Sequence, residues 1–195
     1  MSAKDFIFGA KLGEGSFGDV SLCTQISTGK LFAIKKIVLA LVRKQHHGPR
    51  RVLTEKQALR KLADPKPHPS IVQLHFDFRD SDHEYLVLEY CAGAELLGEI
   101  KRFGTCHVNC ARWLTAELVD ALEYMHAKRI IHRDLKPENV LLDAAGHVKL
   151  IDFDSARLLE QSETDQSFVG TADYMAPEVL AHSDATEASD FWALG

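Results

Sequence analysis

His132-Arg133-Asp134-Leu135-Lys136-Pro137-Glu138-Asn139 sets a carboxylate, an ammonium and an amide within six residues of one another. Transfer of a phosphoryl group from ATP needs such a set: one group to orient the attacking hydroxyl, one to offset charge on the moving phosphoryl, one to hold a metal. By chemistry, Asp134 is the candidate for orienting or accepting the proton of the hydroxyl. Lys136, two residues on, can reach the same side. Asn139 can offer an amide oxygen to Mg²⁺, which favours oxygen ligands shared with phosphates. His132 reads as a packing and hydrogen-bonding residue, and Arg133 requires an anionic partner.

The companions of this motif come in a fixed order. Upstream, Gly13-Glu14-Gly15-Ser16-Phe17-Gly18-Asp19-Val20 lies between two β-type runs. A glycine triplet that led into a helix would point to a dinucleotide fold; leading into a strand, it points to a flap over phosphates, although a flexible hairpin would use the same residues. Ala33-Ile34-Lys35 follows on the next strand. Lys35 sits in an apolar run, and a buried ammonium needs an anionic partner or ligand. Glu55, on the helix expected after Pro49, can hold it, or can be a solvated carboxylate beside Lys56, Arg60 and Lys61. Downstream, Asp152-Phe153-Asp154 follows a short strand and places Asp152 as a second metal ligand. Ser167-Phe168-Val169-Gly170-Thr171-Ala172 then leads to Ala176-Pro177-Glu178 after a polar stretch, Glu160 to Gln166.

The chain has 195 residues, 46% apolar and 26% charged, with a net charge of −5. That balance gives no polyanion-binding signal, so nucleic acid is not an expected partner. No stretch is long and apolar enough to span a bilayer, and the N-terminus lacks the form of a signal peptide. A cytoplasmic setting is expected, with nuclear location or membrane recruitment left to regions outside this chain. Cys23, Cys91, Cys106 and Cys110 are too sparse for a disulfide framework. Cys106-His107-Val108-Asn109-Cys110 is the cluster nearest to a zinc site, but it lacks a clear fourth ligand and reads as thiols.

Patterning predicts strands at Phe6 to Leu12, Asp19 to Thr24, Lys30 to Ile37, Ile71 to Phe78 and Glu84 to Tyr90. One helix between them carries a stripe of Leu53, Leu59 and Leu62 and ends before the proline-rich run at Asp64 to Pro69. Cys91-Ala92-Gly93-Ala94 is a connector of small residues. After it, Ala111, Leu114, Leu118, Leu122 and Met125 predict a long helix from Asn109 to Lys128. Val140 to Leu142 and Val148 to Ile151 are short strands. The expected fold class is α+β and bilobal, like that of a protein kinase. Residues 1–90 form an antiparallel sheet with one main helix, and 91–195 a partial, mainly α-helical lobe.

Together these residues resemble eukaryotic-type protein kinases over nearly the whole chain. Lys136 in the catalytic loop resembles the serine/threonine branch. Ala121-Leu122-Glu123-Tyr124, Ser167 to Ala172 and Ser189 to Gly195 look like the AGC group, nearest to the phosphoinositide-dependent kinases. The resemblance implies ATP and Mg²⁺ as cofactors and protein serine or threonine hydroxyls as acceptors, activation loops of other AGC kinases among them. It implies catalytic roles for Asp134, Lys136, Lys35 and Glu55, and metal roles for Asn139 and Asp152. Gly13, Gly15 and Gly18 would cover the phosphates. Leu12, Val20, Ala33 and Leu141 would sandwich the base, with Leu88 as gatekeeper, Glu89 to Cys91 at the adenine and Glu95 near the ribose. Ser167 would be a phosphosite read by Arg133.

Two departures stand out. Asp154 replaces the usual glycine, and it is expected to limit flipping of Asp152 while leaving metal binding possible. The chain stops at Gly195, inside what the resemblance makes a central helix, so it reads as a piece of a longer kinase with apolar surface uncovered and with Glu178 lacking its implied arginine. The competing readings are a catalytically silent kinase-fold scaffold and a small-molecule kinase on a related fold.

Overall fold

The computed structural model describes residues 1–160 and 170–195. Five strands form one antiparallel sheet: β1 (Phe6–Gly15), β2 (Gly18–Gln25), β3 (Leu31–Val38), β4 (Leu74–Arg79) and β5 (His83–Glu89), in the order β1-β2-β3-β5-β4. The first strand runs past Leu12 to Gly15, and Gly15 pairs with Gly18. The glycine-rich segment is thus the end of a sheet hairpin, with Ser16 and Phe17 as its tip. Gly18 is required there by close packing, because a Cβ would lie 1.9 Å from the Lys36 carbonyl.

Alternation along β3 sorts its side chains by face. Phe32 and Ile34 join Phe6, Cys23, Tyr85 and Val87 in an aromatic-rich cluster on one face. Lys35 and Ile37 alternate with them and fall on the other, where Ile37 packs with Val52, Leu59 and Leu62 of α2 (Gly48–Ala63). The expected stripe on α2 is corrected in one member. Leu53 is 54% exposed and Val52 is buried. Positions 52, 55, 59 and 62 share a helical face, and Leu53 is turned about 100° off it. A short helix α1 (Leu39–Lys44), not expected from the sequence, buries Leu39 and Val42 ahead of α2.

The strand expected from Ile71 begins only at Leu74. Ile71 and Val72 instead reach the second half of the chain: Ile71 forms a parallel bridge with Leu150, and the Val72 N–H donates to the Leu150 carbonyl at 3.0 Å.

Among the described residues of the second half lie four α-helices: α3 (Leu96–Phe103), α4 (Val108–Ala127), α5 (Pro177–Leu180) and α6 (Glu187–Leu194). Between α4 and α5 come the short strands β6 (Ile130–Ile131), β7 (Val140–Leu142), β8 (Val148–Leu150) and β9 (Arg157–Leu158), paired β6 with β9 and β7 with β8. The α4 stripe starts at Leu114, since Ala111 is exposed. His107 is a helix cap, its Nδ1 accepting from the Asn109 N–H at 3.3 Å. Among the described residues no group of three or more His, Cys, Asp or Glu is arranged to hold a metal ion. One continuous core runs from Ile37 and Leu59 through Ile71, Leu150 and Phe153 to Leu118, Leu122 and Met125. It makes the sheet half and the helical half a single packed body, each fully buried large side chain contributing roughly 1.5–3 kcal/mol. Phe103, Trp113 and Trp192 stand exposed on the helical half.

Candidate active site

Lys35 is 6% exposed and Glu55 is 2% exposed. The Lys35 Nζ lies 2.6 Å from Glu55 Oε1 and 3.0 Å from Asp152 Oδ1. One ammonium thus joins the sheet, α2 and the turn after β8. Burial alone would lower the Lys35 pKa, but the carboxylates of Glu55, Asp152 and Asp154 outweigh it and raise it above the usual lysine range. Burial is also the largest influence on Glu55, pushing its carboxyl up to about 7 against the pull of Lys35. For Asp152 burial again opposes ionisation, but Lys35 prevails and holds the carboxyl below its ordinary value. Asp152 is therefore a charged oxygen donor with its backbone in the left-handed region, at φ 59°.

The quoted motif forms the loop after β6, closed by a 3₁₀ turn over Pro137–Asn139. Asp134 Oδ2 is 2.8 Å from the Lys136 Nζ. Asp134 Oδ1 accepts from the Thr171 hydroxyl at 2.8 Å, and Lys136 donates to that hydroxyl oxygen at 2.7 Å. The amide nitrogen of Asn139 donates to the Asp134 carbonyl at 2.8 Å and to Asp134 Oδ2 at 3.1 Å, which fixes the orientation of its amide. With that nitrogen committed, the amide oxygen of Asn139 is left as a hard oxygen donor, the same donor class as the Asp152 carboxylate and the class Mg²⁺ favours.

The loop is held from beneath by Asp190 of α6, which is 1% exposed. Its carboxylate accepts the His132 N–H at 2.9 Å, the Arg133 N–H at 2.9 Å and His126 Nε2 at 2.9 Å. Arg133 needs that anchor, because its φ of 67° is unfavourable for a side-chain-bearing residue. His132 is fully buried against Phe153 and meets the Ile151 carbonyl at 3.1 Å, a packing and hydrogen-bonding role. The Arg133 guanidinium donates to the Ser155 carbonyl at 2.6 Å. Its implied partner Ser167 lies outside the described residues, as does the stretch from residue 161 to 169.

Of the residues implied to contact a base, Val20 sits directly across from Lys35, and Ala33 across from Leu88. Glu95 bridges Leu141, and the Cys91 thiol reaches the Leu142 carbonyl at 3.7 Å, so the connector lies along β7. Gly93 makes that approach possible, since a Cβ would lie 1.3 Å from the Leu142 carbonyl. The Glu89 side chain is committed to Lys149 at 3.0 Å, and its backbone N–H donates to the Gln73 carbonyl at 2.8 Å. Gly13 has open space around its Cα, and a Cβ on Gly15 would lie 3.4 Å from the Lys35 Cε. Glu178 accepts from the Ser189 hydroxyl at 2.9 Å.

Three participants were not given roles by sequence reasoning. Asp190 and Thr171 lay within the quoted segments but gave no local signal. Arg51, whose Nη2 donates to Asp154 Oδ2 at 2.8 Å, lies one turn before Glu55, a spacing that could have flagged it as sharing the Glu55 face.

The protein kinase domain model matches residues 6–195. The chain is 42% identical to human 3-phosphoinositide-dependent protein kinase 1, over 98% of this chain and 34% of that protein. It is 40% identical to the Arabidopsis thaliana protein of the same name, covering 100% of this chain and 41% of that one. It is 40% identical to the serine/threonine-protein kinase PKH2 of Candida albicans, over 98% of this chain and 21% of that protein. The chain therefore spans less than half the length of these relatives, and the likeness to phosphoinositide-dependent kinases read from the sequence is borne out. With Lys35 joined to Glu55 and Asp152, Asn139 joined to Asp134, and the family model matched almost end to end, this chain belongs to the protein kinase domain family.

Proposed function

We propose that the chain is the catalytic part of a serine/threonine protein kinase that transfers the γ-phosphoryl of ATP to protein hydroxyls. The observation that carries this reading is the joint contact of Lys35 with Glu55 and Asp152, beside an Asp134 that already accepts a threonine hydroxyl. In this reading Lys35, oriented by Glu55, neutralises phosphate oxygens. Asp134 orients the acceptor hydroxyl and receives its proton as the new P–O bond forms and the bond from the γ-phosphorus to the β,γ-bridging oxygen breaks, with ADP leaving. Lys136, bound to Asp134, offsets charge on the moving phosphoryl. Asn139 and Asp152 would hold Mg²⁺, which supplies charge neutralisation across the phosphate oxygens when bound. Gly13, Gly15 and Gly18 would cover the phosphates. Leu12, Val20, Ala33, Leu88, Glu89, Cys91, Glu95 and Leu141 would receive the nucleoside.

The division near residue 90, Ser167 as a phosphosite read by Arg133, and activation loops of other AGC kinases as substrates belong to the same reading. Its support is the likeness to phosphoinositide-dependent kinases. A cytoplasmic location is supported by four free cysteines, and no helix among the described residues is long and apolar enough to cross a membrane.

The test pairs nucleotide binding with transfer. Mg²⁺-ATP should raise the melting temperature, and ³²P should pass to serine and threonine peptides but not tyrosine peptides. Asp134→Asn should keep the thermal shift and lose transfer by roughly 10²–10⁴-fold, the scale of general acid–base assistance. Nucleotide binding in the wild type with no transfer would replace the enzyme reading with the silent scaffold.

A further inference from the structure

Asp154 stands where the kinase pattern has glycine, yet it does not take up the freedom glycine gives. The left-handed backbone angle in this turn belongs to Asp152. What Asp154 adds is a carboxylate, 8% exposed and engaged on both oxygens. Oδ2 accepts from the Ser16 hydroxyl at 2.8 Å and from Arg51 Nη2 at 2.8 Å, and Oδ1 accepts from the Ser155 hydroxyl at 3.0 Å. Arg51 also donates through Nε to the Asp154 carbonyl at 3.4 Å. Its guanidinium lies over the Phe17 ring, 5.3 Å from the centroid, and Phe17 is 3% exposed.

Three elements that the sequence keeps far apart meet at this carboxylate. Ser16 and Phe17 are the tip of the glycine-rich hairpin, Arg51 is in the first turn of α2, and Asp154 follows the candidate metal ligand. Arg51 and Glu55 are four residues apart and share a helical face. The helix is therefore stitched to the 152–154 turn twice, by Arg51 to Asp154 and by Glu55 through Lys35 to Asp152. An exposed ion pair would do little. This one has side chains 23% and 9% exposed and added hydroxyl and cation–π contacts, so swinging the turn outward would break the ion pair and those contacts together.

We propose that Asp154 is a positioning residue. With Arg51, Ser16 and Phe17 it forms a clasp that seats α2 and the hairpin tip on the metal-binding turn. The Lys35–Glu55 pair is then made before nucleotide arrives. A glycine at this position could not form the clasp. The value of a pre-seated α2 rests on the kinase reading, but the clasp can be measured without catalysis.

The experiment is amide hydrogen exchange on the nucleotide-free full chain, with Asp154→Asn, Asp154→Gly, Arg51→Gln, Arg51→Lys and the double variant Asp154→Asn/Arg51→Gln. Each of Asp154→Asn, Asp154→Gly and Arg51→Gln should speed exchange in α2 and residues 152–156 by about tenfold, the factor for losing one charge-assisted hydrogen bond, while α4 is unchanged. The double variant should be no faster than either single variant, and Arg51→Lys should recover part of the protection. Transfer rates should follow the same non-additive order. Unchanged exchange in α2, additive losses, or uniform loosening of the whole molecule would each overturn the clasp. Absent transfer in the wild type, with the exchange pattern intact, would fault the kinase reading and leave the clasp standing.

Discussion

Replacing Asp190 by asparagine removes one charge and almost no volume, and it should still damage the loop that carries Asp134. In the native protein Oδ2 accepts from the His132 N–H and from His126, while Oδ1 accepts from the Arg133 N–H. An amide has one acceptor and one donor end. If its oxygen serves His132 and His126, its NH₂ faces the Arg133 N–H, donor against donor. The variant then loses a hydrogen bond to a charged acceptor, worth about 1.5–3 kcal/mol, and strands a buried N–H that costs on the order of 1–3 kcal/mol. These terms overlap, so a net loss of about 2–4 kcal/mol is expected. For a chain of this size each kcal/mol lowers the melting temperature by roughly 2–4 °C, giving a fall of about 5–15 °C in calorimetry. The orphaned N–H is at Arg133, which holds φ 67° and directly precedes Asp134. Relaxation of that angle would move the carboxylate, and a displacement of about 1 Å can cost on the order of 10²-fold in rate. Steady-state kinetics at a temperature well below the melting transition should show a lower kcat with a nearly unchanged KM for ATP. If the variant melts within about 2 °C of the wild type and keeps its kcat within about twofold, Asp190 is not what holds the loop.

Two further perturbations test the Lys35–Glu55 pair and the connector. Glu55, with its carboxyl raised to about 7 and with Lys35, Asp152 and Asp154 as its charged neighbours, should protonate as pH falls through that value and release Lys35, giving an acid limb in kcat/KM for ATP near pH 7. Its stability contribution runs the other way: a folded-state pKa above the ordinary 4.5 favours the fold below pH 4.5, and that contribution is lost as pH rises through about 7. Both trends should vanish in Glu55→Gln, and an unaltered limb in that variant would assign it to another group. Gly93→Ala should destabilise the chain by several kcal/mol in denaturant titration, because its Cβ would lie 1.3 Å from the Leu142 carbonyl and the connector would have to leave β7. A loss under about 0.5 kcal/mol would mean the connector moves freely there.

What could be read from the sequence was whatever a period or a chemical oddity betrays. The five strands and the two long helices follow from alternation and helical spacing, and each was located to within a few residues. Lys35 was legible because an ammonium in an apolar run must be paired, and Glu55 because a helix carboxylate was in reach. The Leu53 expectation fails because three leucines in one helix suggest a stripe, whereas helical geometry turns Leu53 away from Leu59 and Leu62. Ile71 was placed in a strand because its neighbours are β-formers, whereas its actual partner, Leu150, is distant along the chain. The Asp190 and Thr171 side chains act in the site through groups 35 to 64 residues away, which no local pattern records.

Asp154 shows where such reading stops and why. From the sequence it was a departure from a glycine, so its expected effect was argued from backbone freedom. The structure gives the residue an ordinary backbone and assigns the left-handed angle to Asp152. The substitution acts through its carboxylate, and its partners Ser16 and Arg51 lie 138 and 103 residues away in sequence. A side chain in this turn can restrain Asp152 only if something outside the turn grips it. Arg51 can provide that grip because it occupies the helical face that already brings Glu55 to Lys35. The two ion pairs are therefore coupled through one rigid turn of helix: whatever displaces Arg51 moves Glu55, and weakening either pair should loosen the other.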